Sequence, residues 1–353
     1  MTRTITFAEA VNEALQTAMA NDPAVICFGL GVDDPKAIFG TTKGLRDRFG
    51  PERVWDMPTS ENAMTGVAIG AALQGIRPVM VHQRLDFFLL AMDQLVNNAA
   101  KWHYMFGGQR SVPITIRLIL GRGWGQGPTH SQSLHAWFTH VPGLKVVMPT
   151  TPADAKGLLL ASIADPNPVL FLEHRWLHNT LGDVDPAAEE IPLGKAVVRR
   201  QGADVTIVSM GYMTIEALHA ADFLKAHEIH CEVLDLRTIS PLDWPMVMAS
   251  VRRTGRLLAL DTGALTGSVA GEIVARVSQE CWNELRCAPA RITMSDSPEP
   301  TSFGMTKGFH PGAEQIAEKI SAMLGKQVPT TALAEQRKKQ PHDVPGAWFT
   351  GPF

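Results

Sequence analysis

The feature that most constrains this chain is a change of period repeated along its first half. Short apolar runs alternate with segments whose apolar residues recur at helical spacing. Residues 6–19 carry Phe7, Val11, Leu15 and Met19 four apart, which predicts a helix, and the run AVICF at 24–28 predicts a short buried strand. Beyond these, helices are expected over 61–73 and 88–105, and strands over 78–81, 112–120, 144–148 and 169–172. Pro152 falls in the first turn of one more helix. Buried strands alternating with helices build a mostly parallel sheet sandwiched between helices. The expected class is α/β.

Over 176–202 the pattern dissolves into Gly, Asp, Pro and Glu, which reads as a linker. A smaller alternation follows, with strands expected at 205–209, 231–236, 257–260 and 291–294 and helices at 214–227, 268–284 and 312–324. Residues 326–353 have no period and are expected to be an irregular tail. The division is thus a first domain (1–175), a linker (176–202), a second domain (203–325) and a tail (326–353).

A net charge of −3 offers no basic field to nucleic acid or an anionic membrane, and no run of ~18 apolar residues suggests a span. Cys27, Cys231, Cys281 and Cys287 lack metal or redox spacing, so they are expected as small core hydrophobes in a reducing, cytoplasmic setting. No GxGxxG, P-loop, GxSxG or HExxH occurs, which disfavours a Rossmann dehydrogenase, a P-loop enzyme and an α/β-hydrolase.

What remains is local. Ser60 is placed to cap the helix that starts at Glu61, whose carboxylate the helix dipole favours. By spacing alone this is an ordinary capped helix. The glycines alternating over 121–127 let a backbone approach a ligand closely, and His130 just beyond could reach that ligand; a merely flexible loop explains the pattern as well. Asp86-Phe87-Phe88 either offers an aromatic face to a ring or packs a core, and His82, His135 and His140 read as satisfied polar or core residues.

Taken together, five stretches in order resemble the β subunit of the decarboxylating component of 2-oxo acid dehydrogenase complexes, within the transketolase-like thiamine enzymes. They are TSENAMTGVAIGAALQG (59–75), DQLVNNAAK (93–101), HSQ (130–132), VPGLKVV (141–147) and DLRTISP (235–241). The resemblance implies a domain binding the pyrimidine of thiamine diphosphate, followed by a smaller transketolase C-terminal-like α/β domain. It places Glu61 on the aminopyrimidine ring, where a carboxyl that holds or shares a proton favours the tautomer able to deprotonate the thiazolium carbon. An apolar surrounding is expected for such a carboxyl. Phe87 would lie against the pyrimidine with Gln83 beside the cofactor. His130 would face the substrate or the acyl-accepting lipoyl group. Ile114, Ile163, Asp165 and Asn167 would hold a structural potassium ion, largely through carbonyls.

The family motif Gly-Asp-Gly, which binds the diphosphate through Mg2+, is absent; its nearest approach is Gly182-Asp183-Val184 in the linker. The resemblance therefore implies an α subunit bringing that half of the site, in an α2β2 assembly, and a lipoyl-bearing acyltransferase as a further partner. The stretch GPTH (127–130) is similar instead to transketolases, Asp261-Thr262 stands where the family has an acidic pair, and the tail is an addition. Two alternatives stay open on these residues: the carboxy-terminal half of a split transketolase moving a ketol unit between sugars, and a non-catalytic regulatory homologue.

Overall fold

The computed structural model describes residues 2–122, 125–187, 189–337 and 341–345; Gly123 and Trp124 of the glycine loop and the end of the tail lie outside them. After β1 (Arg3–Thr6), Thr6 opens α1 (Phe7–Asn21) through a reciprocal cap: its hydroxyl accepts from the Glu9 amide while the Glu9 carboxylate accepts from the Thr6 amide. There follow β2 (Val25–Gly29), α2 (Leu45–Phe49), β3 (Val54–Asp56), α3 (Glu61–Leu73), β4 (Arg77–His82), α4 (Leu85–Phe88) and α5 (Ala100–Met105). The first half closes with β5 (Thr115–Leu120), α6 (His135–Thr139), β6 (Lys145–Val147), α7 (Pro152–Ala164) and β7 (Val169–His174).

Period-two alternation assigns each strand residue to a face. Val79, Val81, Ile119 and Phe171 join a core under α1 and α7, whereas Met80, Leu118, Leu120, Leu170 and Leu172 join a second core with Phe88, Leu95 and the Ala68–Ala72 face of α3. Each such fully buried side chain contributes ~1.5–3 kcal/mol, so both faces are closed by strong apolar packing. In the resulting seven-stranded sheet the order is β12-β6-β7-β5-β4-β2-β3, all parallel except its first member.

That first member comes from the second half, which runs β8 (Leu181–Val184), β9 (Val197–Arg200), β10 (Val205–Ser209), α8 (Tyr212–Lys225), β11 (Cys231–Asp235), β12 (Thr238–Ser240), α9 (Trp244–Thr254), β13 (Leu257–Ala264), α10 (Val269–Glu280), β14 (Ala290–Met294), α11 (Ala313–Met323) and α12 (Thr331–Arg337). Its five-stranded sheet has the order β14-β13-β10-β11-β9, with β9 alone antiparallel.

Four expectations need correction. The supposed linker contains β8, paired with β1, and β9, an edge of the second sheet. Both are short and partly exposed, so neither shows an apolar run. The helix expected over 88–105 is broken into a 3-10 turn (Leu89–Ala91), a π-turn segment (Gln94–Ala99) and α5. A widened turn barely changes apolar spacing, so the period does not report it. The helix α9 was not among those expected; Pro245 sits in its first turn behind the Asp243 cap. The tail is not wholly irregular: α12 packs Leu333 into the first core, and Asp343 is 2% exposed.

Cys27, Cys231 and Cys281 are buried, and burial pushes the first two thiols up to about 12. Cys287 is half-buried. A thiol reagent should therefore label Cys287 in the native protein and the other three only after denaturation, read by peptide mapping; rapid native labelling of Cys27 would contradict this packing.

Candidate active site

At the carboxy-terminal edge of the first sheet, β3 leads into α3 and delivers Glu61. Ser60 occupies the cap position but makes no capping hydrogen bond, contrary to expectation. Glu61 is 4% exposed and has no hydrogen-bond partner among the described residues. Its oxygens are not among the buried atoms left unsatisfied, so the carboxyl keeps an opening through which a ligand can reach it. A pyrimidine nitrogen fits that opening.

The segment after β4 carries Gln83 and Phe87. Gln83 lies over Gly31, whose φ of +77° and missing Cβ admit its amide; any side chain at 31 would collide with it. Phe87 is half-buried and meets His130 edge-on, the ring centroids 5.4 Å apart and the planes at 90°. His130 is exposed, and its Nδ1 is 3.0 Å from the Thr129 hydroxyl. Sequence reasoning missed what holds this loop: Asp86 Oδ1 accepts from the Gln132 amide at 3.3 Å and from its side-chain Nε2 at 2.7 Å. The neighbouring phenylalanine, Phe88, is core.

The other histidines divide. His135, on α6, lies 2.7 Å through Nε2 from Asp261 Oδ1 in the second domain; Oδ1 also accepts from the Gly263 amide and Oδ2 from the Ala270 amide. Burial alone would raise the Asp261 carboxyl, but His135 and these bonds hold it below the usual carboxylate range. His82 is not satisfied: it is fully buried against Phe88 with neither ring nitrogen hydrogen-bonded, and burial pushes it down to about 3, so it is neutral.

A cavity of about 550 Å³ opens between the domains, lined among others by Arg122, Ser131, His174, Trp176, Tyr212 and Glu299. It does not contain Glu61, Phe87 or His130; its wall is the segment just after His130. Arg122 closes one side, paired with Glu299 at 3.0 Å and with Asp343 of the tail at 3.1 Å.

The residues expected around potassium gather at the opposite edge of the sheet. There Ile114 C=O accepts from the Val169 amide, Arg77 Nη1 donates to the carbonyls of Ile163 (2.9 Å) and Asp165 (3.4 Å), and the Asn167 amide donates to Asp165 Oδ1. Lys145 is ion-paired with the Asp165 carboxylate. Two protein cations already serve these oxygens, so a potassium ion would have to share them. Among the described residues no group of three or more His, Cys, Asp or Glu is placed to hold a metal, and no helix is long and apolar enough to cross a membrane.

Two family descriptions match in succession: transketolase, pyrimidine binding domain, over residues 3–179, and transketolase, C-terminal domain, over 194–316. The chain belongs to the transketolase-like family, among the β subunits of thiamine-diphosphate-dependent 2-oxo acid dehydrogenases. It is 41% identical over 327 residues to the acetoin:2,6-dichlorophenolindophenol oxidoreductase subunit beta of Cupriavidus necator, covering 90% of this chain and 96% of that one. Over 337 residues it is 40% identical to the mitochondrial pyruvate dehydrogenase E1 component subunit beta-2 of Oryza sativa subsp. japonica, covering 94% and 89% respectively. A solved split-gene transketolase, an inactive β4 tetramer, shares the fold with a TM-score of 0.74 at 21% identity, over 92% of this chain and 99% of that one.

Proposed function

We propose that this chain, completed by an α subunit in an α2β2 assembly, decarboxylates a 2-oxo acid and passes the acyl group to a lipoyl group on an acyltransferase. The observation that carries the reading is the buried, unpartnered Glu61 carboxyl at the head of α3. When bound, thiamine diphosphate supplies the nucleophilic carbon and the electron sink that decarboxylation needs. Glu61, 4% exposed, then holds a proton at the aminopyrimidine nitrogen. Phe87 presents a ring for the pyrimidine to pack on, and Gln83 lies beside it. His130 is held against Phe87 by Thr129 and the Asp86–Gln132 bonds, and its Nε2 has no partner among the described residues. That nitrogen orients the substrate carbonyl or meets the incoming acyl acceptor.

The diphosphate and Mg2+ fall to the α subunit, since the Gly-Asp-Gly motif that binds them in the family is absent from this sequence; a potassium ion sharing the Arg77 cluster would be structural only. Val67 on α3 and Leu90 just past α4 are exposed beside the site, apolar surface that a partner chain would cover.

The chain purified alone is expected to bind thiamine diphosphate more weakly than micromolar. One hydrogen bond to a charged group contributes ~1.5–3 kcal/mol, whereas micromolar binding needs about 8 kcal/mol. Coexpressed with the product of the adjacent reading frame, it should gain Mg2+-dependent cofactor binding and release CO2 from 2-oxo acids together. Calorimetry and CO2 release on the same preparations test this. Submicromolar binding by the lone chain, or ketol transfer between sugar phosphates in place of decarboxylation, would overturn it.

A further inference from the structure

Four arginines are buried among the described residues: Arg84, Arg117, Arg122 and Arg175. Arg117 is paired with Glu173, and Arg122 with Glu299 and Asp343. Arg84 and Arg175 have no carboxylate partner among the described residues. Arg84, 5% exposed, donates only to neutral acceptors, the Gly121 carbonyl at 3.3 Å and the Gln126 side chain. Arg175 is 3% exposed, and both its Nε and Nη1 are buried with no acceptor among the described residues. Its guanidinium lies over the Phe39 ring at 4.2 Å.

Both side chains stay cationic at neutral pH. Burial lowers Arg84 to about 10 against the opposing charges of Asp86 and Glu299, and lowers Arg175 to about 9 with help from the like charge of Arg84. A buried charge without a hydrogen-bonded partner is costly, and Arg175 is the less compensated of the two. The surroundings are strained as well. Ala37, Ile38 and Phe39 take φ values of +46°, +44° and +59° in succession, a left-handed run that disfavours L residues and that sets Phe39 against Arg175.

Position argues for a ligand. Arg84 lies two residues past β4 and Arg175 directly follows β7, at the carboxy-terminal edge where open α/β sheets hold ligands. Arg84 stands three residues before Phe87, and the Gln126 it holds stands four before His130. Gly121, the neighbour between them, has φ +87° and no room for a Cβ, which would lie 2.6 Å from the His174 ring.

We propose that Arg84 and Arg175 bind a second anionic group on the substrate, a carboxylate or phosphoryl remote from the reacting 2-oxo acid. The proposal deepens the function proposed above and rests on it. Guanidinium forks match the oxygens of either group. The carboxyl that departs as CO2 is the wrong occupant, because clamping it would stabilise the ground state and oppose its loss. The substrate class is therefore a dianionic 2-oxo acid.

The test uses the reconstituted complex with pyruvate, 2-oxoglutarate and 3-phosphohydroxypyruvate, which separate one anionic group from two and carboxylate from phosphoryl. One dianionic substrate should exceed pyruvate in kcat/KM by about tenfold or more. Arg175→Met and Arg84→Met should each raise KM for it about 10–100-fold, the size of a charged hydrogen bond, and reduce its preference over pyruvate, with partial recovery in Arg175→Lys. Independently of turnover, calorimetry at fixed chloride should show the wild-type complex binding inorganic phosphate and Arg175→Met losing it. Pyruvate turnover with neither dianion preference nor phosphate binding sinks this site and leaves the decarboxylase reading intact. Phosphate binding lost in Arg175→Met, with no 2-oxo acid decarboxylated, sinks that reading and with it the substrate class. Phosphate bound by the lone chain but displaced by the α subunit would show the arginines meeting a partner carboxylate, and variants that lower only the melting temperature would make them structural; either overturns the proposal.

Discussion

Glu61→Gln in the reconstituted complex is expected to cut turnover by about 10²–10⁴-fold while leaving the fold intact. The amide is isosteric with the carboxyl, and a carboxylate at a helix start is worth only ~0.3–1 kcal/mol. Ser60 adds no cap that the substitution could disturb. What the change removes is the ability to hold a proton at a ring nitrogen from a buried position. Decarboxylation rates within a few-fold of wild type, measured with cofactor saturating, would falsify the assignment. His130→Ala is the companion: with its side chain exposed beside Phe87, it should depress acyl transfer more than cofactor binding.

The largest stability effect belongs to the centre of the first sheet. Arg117 on β5 and Glu173 on β7 are both fully buried, with Nε to Oε1 at 2.6 Å and Nη2 to Oε2 at 2.9 Å, and His178 lies 3.2 Å from Oε2. Removing one partner of such a pair leaves a buried uncompensated charge, so Arg117→Met should cost about 3–5 kcal/mol in denaturant unfolding. Replacing both by apolar residues should recover much of that loss. Burial alone would raise Glu173, yet Arg117 and His178 hold it down to about 2. A depressed carboxyl contributes stability that is present above its unfolded value near 4.5 and is lost as pH falls through about 2. His82 and His174, pushed down to about 3 by burial, act in the same direction earlier. The folded state excludes their protons, so stability starts to fall once pH drops below their ordinary 6.5. A melting temperature that stayed flat from pH 7 to pH 4 would contradict this account.

The parallel core was legible because buried strands write themselves as apolar runs, and α1 because Phe7, Val11 and Leu15 share a face. Elements that serve as edges were not: β8 and β9 are short and partly exposed, and nothing in Thr238-Ile239-Ser240 says to which sheet β12 belongs. Glu61 and His130 stood out only through the motifs around them. Arg84, Arg175 and the Asp86–Gln132 brace carried no signal, since burial of an arginine depends on tertiary contacts that no local period encodes. The tail misled for a similar reason, its anchors being tertiary: Leu333 in the first core and the ion pair from Asp343 to Arg122.

The placement of β12 has a consequence for how the molecule can be divided. Leaving β11 of the second sheet, the chain crosses to lay three residues antiparallel along β6, covering what would be a bare edge of Val146 and Val147. Unpaired apolar edges recruit other chains. A fragment ending before residue 203 would retain every strand assigned to the first domain by sequence and still expose a sticky flank. The two lobes are interlocked by a borrowed strand, and the boundary that sequence draws between them is not a seam along which the protein can be cut.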